Sequence, residues 1–257
     1  MAIEISTDDG IALFQMTGRT ASNSFSRESL AEIRDALDAL INDDSVRGIV
    51  LTGEGRFFSA GADIKEFQRC IDDGTIVKFI HDLTGMLHPL LLRIRRSSKI
   101  VVAAINGAAA GGGLGLALAC DARVAGPGAK LAASYAGIGL SPDGGTTWLL
   151  PRLVGDQVSR NFFFENQVWD AQTSFEYGAV EHLSDNPIED AQEIVRMWSK
   201  WGVHTREATK HLLDIQSVQD LESHLDHERL LIKAAGTTDD FAEGVAAFLE
   251  KREPKFL

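Results

Sequence analysis

Several things are scarce in this chain, and each scarcity removes a class of function. Cysteine occurs only twice among the 257 residues, as Cys70 and Cys120, in no metal-ligand spacing. That excludes a disulfide framework and a cysteine-built zinc site, and it suits a reducing compartment with two structural thiols. Basic residues are outnumbered, 25 Lys and Arg against 37 Asp and Glu, for a formal charge of −12. No basic run or basic-aromatic stripe breaks the acidic surplus, so nucleic acid is not an expected partner. No apolar run approaches the ~18 residues that a membrane-spanning helix needs. The first residues, MAIEISTDDG, are neither apolar nor Arg-rich, so the expectation is a cytoplasmic protein without a membrane partner.

What the chain has in quantity is apolar residues, 44% of the total, enough for one large core with a smaller appendage. Ile3 to Ile5 and Ile11 to Met16, parted by Thr7-Asp8-Asp9-Gly10, predict a hairpin. Ser26 predicts the cap of an amphipathic helix carrying Leu30, Ile33, Leu37 and Leu40. Gly74 to Arg96 contains a longer helix with Phe79, Leu83, Leu87, Leu90, Leu91 and Ile94 on one side. His81 and His88 stand seven residues apart on it, about two turns. Downstream, Asp170 starts a helix that Gly178 ends, and four helical patterns follow: Ile188 to Trp201, His204 to Ile215, Val218 to Ala235 and Asp239 to Glu250. His204, His211, His224 and His227 in that region lack the carboxylates or cysteines that would complete a metal set, so no metal is expected.

The stretch from Lys99 to Asp121, KIVVAAINGAAAGGGLGLALACD, organises the rest. Its β-branched start predicts a strand buried on both faces. Asn106-Gly107 then turns the chain, and Gly111, Gly112 and Gly113 open an Ala/Leu helix. Glycines there either permit close helix-to-sheet packing or let a ligand reach the free N–H groups of the first helical turn. Upstream, the strand Ile49-Val50-Leu51 leads to Gly53-Glu54-Gly55-Arg56-Phe57-Phe58-Ser59-Ala60-Gly61-Ala62, before a helix that Asp63 can cap. Two small-residue turns at strand ends are able to supply both donors of an oxyanion hole.

The blocks FFSAGADIKEF, AAINGAAAGGGLGLALACD and GIGLSPDGGTTWLLPRLVG resemble, in order and spacing, the signatures of the crotonase (enoyl-CoA hydratase/isomerase) superfamily. The resemblance implies an α/β fold of repeated ββα units with two roughly perpendicular sheets, over residues 1–195. A C-terminal helical oligomerisation region follows over 196–257, forming a homotrimer or homohexamer. It implies an acyl-CoA thioester as substrate, with no other cofactor, its carbonyl oxygen held by the N–H groups of Ala62 and Gly112. Ala60 and Ile64 flank that site. Arg19, in a loop that partly matches the family's CoA-binding loop, and Lys255 and Phe256, in the family's tail, are the implied CoA contacts.

Chemistry in such a scaffold depends on its acids. Hydratases of the family use two glutamates, and the matching positions here are Gly115 and Tyr135. Neither moves a proton near neutral pH as a carboxylate does, since tyrosine ionises near about 10. Hydration is therefore disfavoured. Asp143, in Ser141-Pro142-Asp143-Gly144-Gly145, either caps a helix or faces the acyl chain, as the equivalent aspartate does in ring-opening and Δ3,Δ2-enoyl-CoA isomerases and in 4-chlorobenzoyl-CoA dehalogenases. His88 matches a dehalogenase histidine, but Tyr135 and Ala62 replace the tryptophan and the bulky aromatic of that group. The expectation is an acyl-CoA isomerase with Asp143 as base. The alternatives are a hydrolase or dehalogenase with Asp143 as nucleophile, and a silent CoA binder.

Overall fold

A computed structural model describes residues 3–18 and 22–256. The chain opens with the expected hairpin, β1 (Ile3–Asp8) against β2 (Ile11–Met16), in register from Ile3↔Met16 to Asp8↔Ile11. Asp9 and Gly10 turn it with φ of 44° and 70°, the pair of left-handed residues that a tight two-residue hairpin favours. Helix α1 (Arg27–Asn42) begins at Ser26, whose side chain accepts from the Ser29 N–H while Ser29 returns the bond. Its Leu30, Ile33, Leu37, Leu40 and Ile41 are buried.

Strands β3 (Gly48–Gly53) and β5 (Ile100–Ile105) are buried at every residue. Together with β7 (Ala122–Ala125) and β10 (His182–Leu183) they complete a six-stranded sheet of order β1-β2-β3-β5-β7-β10, parallel apart from the hairpin. One face packs on α1, α3 (Ile76–Arg96) and α4 (Gly112–Ala119), and the other on α8 (Pro187–Ser199) through Ala191, Ile194 and Val195. Cover on both faces is why the strands read as unbroken apolar runs.

The second sheet corrects the sequence reading. Phe57–Ser59 and Ala108–Ala110 look like turns because they are three residues long and mostly small, yet they form strands β4 and β6. With β8 (Lys130–Ala132) and β9 (Val168–Asp170) they make a sheet of order β4-β6-β8-β9. Asn106 steers the chain between the sheets: its Oδ1 accepts from the Gly53 N–H at 2.9 Å and its Nδ2 donates to the Gly55 carbonyl at 3.0 Å. Gly107 is obligatory beside it, since a Cβ there would lie 2.2 Å from the Arg56 carbonyl oxygen.

Helix α2 (Ile64–Asp72) is capped by Asp63, and α3 buries the apolar face expected of it. Pro89 lies inside α3, and Thr84 Oγ1 donates back to the Ile80 carbonyl at 2.8 Å. After α5 (Thr146–Val154), α6 (Asp156–Phe164) and α7 (Ala171–Glu176), the chain reaches α9 (Val203–Ile215), α10 (Leu221–Ala235) and α11 (Asp239–Glu250). Lys210 fastens α9 to the core, donating to the Ile94 and Lys99 carbonyls and to Asp121 Oδ2 at 3.0, 2.9 and 3.0 Å. Among the described residues no helix is long and apolar enough to cross a membrane, and no group of three His, Cys, Asp or Glu could hold a metal ion.

Candidate active site

The site is built where β4 and β6 end side by side. Beyond β4, Phe25 pairs with the Ala60-Gly61-Ala62 turn: its N–H donates to the Gly61 carbonyl at 2.7 Å and its carbonyl accepts from the Asp63 N–H at 3.2 Å. These two bonds straddle Ala62, so the Ala62 N–H points away from Phe25. Beyond β6, Gly112 is the first residue of α4, where an N–H has no intrahelical acceptor.

The two turns touch. A Cβ on Gly61, whose φ is 75°, would lie 2.8 Å from the Ala110 oxygen and 2.9 Å from the Gly112 nitrogen. One on Gly113 would lie 2.3 Å from the Ser59 oxygen. Gly61 and Gly113 thus permit close backbone packing, the first reading of these glycines, and that packing brings Ala62 and Gly112 to one place.

That place is a cavity of about 480 Å³. Ala60, Ala62, Ile64, Gly111 and Gly112 line it on one side, with Phe67, Leu83 and Leu87 from α2 and α3 and Tyr135, Leu140 and Asp143 from the loop before α5. Ile64 is exposed. Asp143 is the one carboxylate among the described lining residues, and its side chain is 36% exposed.

Asp143 is held through its backbone. Its carbonyl accepts from Tyr135 Oη at 3.1 Å, Thr146 Oγ1 at 2.9 Å and the Thr146 N–H at 3.2 Å. Burial pushes the Tyr135 hydroxyl well above the usual tyrosine range, and the Asp143 charge adds to the effect. Tyr135 is thus a neutral donor that positions the loop. Thr146, the other half of this tie, carries no motif of its own, so the sequence pattern does not single it out.

Gly115 is closed to any side chain. A Cβ there would sit 2.3 Å from the Gly144 oxygen and 3.0 Å from the Gly144 carbonyl carbon. Gly144 and Gly145, with φ of 61° and 68°, fold the loop down into the space a Gly115 side chain would occupy.

His88 stands beside the acid, with Nε2 3.8 Å from Asp143 Oδ2 and 3.4 Å from the Gly144 N–H that donates to it. It also borders a second cavity of about 560 Å³ lined by Leu91, Leu92, Trp148 and Leu149. His81 is exposed on α3. Arg19 lies outside the described residues.

Lys255 and Phe256 are not brought to the Asp143 cavity. The Lys255 N–H donates to Glu243 at 2.8 Å, and the Phe256 ring packs 6.4 Å from that of Trp201 and against Gly244. The tail is thereby folded on α11, a non-local contact that the tail motif does not encode.

Comparison with known proteins places this geometry in context. Residues 6–257 match the family described as Enoyl-CoA hydratase/isomerase. The chain is 31% identical over 252 residues to 1,2-epoxyphenylacetyl-CoA isomerase of Escherichia coli (strain K12), covering 97% of this chain and 95% of that protein. It is 32% identical over 252 residues to 4-chlorobenzoyl coenzyme A dehalogenase-2 of Arthrobacter sp., covering 97% and 91%. A crystal structure of an enoyl-CoA hydratase from Polaromonas sp. JS666 superposes with a TM-score of 0.92 at 29% identity, covering 100% of both chains. Three named reactions on one scaffold mean that the local chemistry, and not the fold, distinguishes them.

Proposed function

The chain belongs to the enoyl-CoA hydratase/isomerase family, and we propose that it is an acyl-CoA isomerase that shifts a proton, and with it a double bond, through an enolate. The thioester carbonyl oxygen sits between the Ala62 and Gly112 N–H groups. Asp143 takes a proton from the carbon next to the carbonyl, the negative charge passes to the held oxygen, and the acid returns the proton to the γ carbon of the dienolate. Atoms are conserved, and no redox cofactor is called for.

The observation that carries this reading is that Asp143 is the carboxylate, among the described lining residues, of a cavity that Ala62 and Gly112 also line. One acid serving two carbons in turn is isomerase chemistry. Paired-acid hydration has no second acid to draw on, with Gly115 overlain by Gly144 and Tyr135 kept neutral. The contact between His88 and Asp143 favours a second reading, in which Asp143 attacks as a nucleophile and His88 activates the water that releases the product. The exposed Leu225, Leu230 and Ile232 of α10 and Phe248 and Leu249 of α11 are proposed to be covered by further copies in a homotrimer or homohexamer.

Incubating 3-enoyl-CoA thioesters with the protein in deuterated water tests the reaction. Isomerisation gives a displaced double bond, with deuterium uptake only to the extent that the proton held on Asp143 exchanges with solvent before its return, and Asp143→Asn is expected to cut turnover by about 10² or more while preserving CoA binding. His88→Ala is expected to do less. A covalent adduct on Asp143 that accumulates in His88→Ala, or loss of chloride from a chlorinated aryl thioester, would replace the isomerase by the nucleophile reading. No turnover of any thioester together with tight CoA binding would make the chain a silent binder.

A further inference from the structure

A third concavity, of about 920 Å³, shares no lining residue with the Asp143 cavity. The C-terminal ends of α1 and α3, the α8–α9 junction and the start of α11 enclose it. In a chain of net charge −12 this cleft gathers Arg47, Arg93, Arg96, Lys99, Lys200 and Arg206 against four carboxylates.

Arg206, like Lys99, differs from the other cations packed into the interior. Arg123, Arg95 and Lys210 each meet a carboxylate, those of Glu181, Asp214 and Asp121. Arg206 is only 7% exposed, yet among the described residues it has no ion-pair partner: it donates to the Arg47 carbonyl at 3.0 Å, and its Nε has no hydrogen-bond partner. Across the same junction, Ser199 is 5% exposed and its Oγ is also unpartnered. Lys99, 8% exposed, donates to the Asp43 carbonyl at 2.8 Å and to the Val46 carbonyl at 2.5 Å, and meets no carboxylate among the described residues. Burial and the Arg206 charge push the Lys99 amine below its ordinary range, despite Asp44 and Asp43. Burial likewise lowers Arg206, against the pull of Asp240 and with the help of Arg47. Like charges confined in one place with unanswered donors call for an anion.

We propose that this cleft binds a phosphoryl dianion, with Arg206 and Ser199 among its donors. Trp201 and Phe256 form an aromatic wall beside it, and Lys200 Nζ stands 4.6 Å above the Trp201 ring. The wall gives a flat group attached to the phosphoryl a surface to stack on. The site is independent of the thioester reaction, so the inference stands whether or not the chain is an isomerase.

The probes are sodium phosphate and adenosine monophosphate, titrated into the full-length protein against sodium chloride at constant ionic strength, with Tm and tryptophan fluorescence as readouts. A saturable rise in Tm with phosphate and none with chloride is expected. Ser199→Ala and Arg206→Gln are each expected to weaken binding about tenfold or more, the scale of a lost hydrogen bond to a charged group. Where Arg206→Gln does not fold, Arg96→Gln decides: it is exposed, and its loss is expected to weaken phosphate about threefold as a screened surface charge. Tighter binding of the nucleotide that Trp201→Leu abolishes assigns the site to a phosphomonoester, and equal affinities assign it to free phosphate. Absence of a saturable shift with either probe overturns the proposal, as does an unchanged affinity in folded Ser199→Ala and Arg96→Gln.

Discussion

Gly115→Ala adds one methyl group and no chemistry, yet it is expected to damage the site more than its size suggests. The new Cβ would lie 2.3 Å from the Gly144 oxygen, 3.0 Å from its carbonyl carbon and 3.1 Å from its Cα. All three are backbone atoms, so no side-chain rotation relieves the clash. The Asp143-Gly144-Gly145 turn has to lift, against the bonds from Tyr135 and Thr146 to the Asp143 carbonyl. Overpacking of this kind costs about 1–3 kcal/mol. At roughly 2–4 °C of Tm per kcal/mol for a chain of this size, the fall is about 2–12 °C. Lifting the turn by about 1 Å also carries the Asp143 carboxylate off its carbon, a displacement worth up to about 10² in rate. Calorimetry and steady-state turnover of a 3-enoyl-CoA measure the two effects on one preparation. A Gly115→Ala protein with unaltered Tm and kcat would show that the turn is not seated on Gly115, and the steric explanation for the missing acid would fail with it. The same contact predicts that Gly115→Glu with Tyr135→Glu does not produce an efficient hydratase, because the first glutamate has no room.

Other consequences are open to direct measurement. Gly112→Pro removes one oxyanion donor at a first-turn position where proline is tolerated, and turnover is expected to fall about 10² to 10³ with the fold retained; wild-type turnover in the folded variant would remove Gly112 from the mechanism. Lys210→Met leaves Asp121 buried without its cation, at a cost of about 3–5 kcal/mol, so thermal melting is expected to drop by roughly 6–20 °C. A drop of only a degree or two would mean that α9 is held by other contacts. Burial pushes the Cys120 thiol up to about 12 from 9.0. The folded state keeps a proton that the unfolded chain releases, so the contribution is whole below pH 9 and is lost as pH rises from there towards 12. Tyr135 acts with the same sign above about pH 10. Cys120→Ala should therefore flatten the alkaline fall in Tm, and an identical slope in the two proteins would contradict the assignment.

The parts of the fold legible in the sequence are those set by local chemistry. Ser26, Asp63 and Asp170 each cap a helix with the side-chain bond their positions suggest. The uniform apolar character of Ile100–Ile105 correctly signals a strand covered on both faces. What eluded the sequence depends on partners distant along the chain. Ala108–Ala110 has only methyl side chains, too small to announce a strand, and only its pairing with Phe57–Ser59 and Lys130–Ala132 makes it one. Gly115 reads as a missing acid, while its occupation by Gly144, 29 residues on, is visible only in three dimensions. The same holds for Thr146, and for a tail drawn to Glu243 and Trp201.

Helix α3 forms one wall of the Asp143 cavity, and its middle is mechanically soft. Pro89 has no N–H to offer the Gly85 carbonyl one turn back, Gly85 contributes no side chain, and Thr84 bonds back to Ile80 in the manner that bends helices. The ends are stiff by contrast. Phe79 stacks edge-on against Phe67 at 5.5 Å, and the Ile94 carbonyl is tied to Lys210. A beam clamped at both ends and thinned in the middle flexes in the middle, and the residues there are Leu83, Leu87 and His88. The width of the chamber is then governed by the bowing of a helix rather than by a loop that opens, so acyl groups of different girth meet a wall that yields by fractions of an ångström without exposing the core. Amide exchange should register this as faster opening at 85–88 than at either end of the same helix.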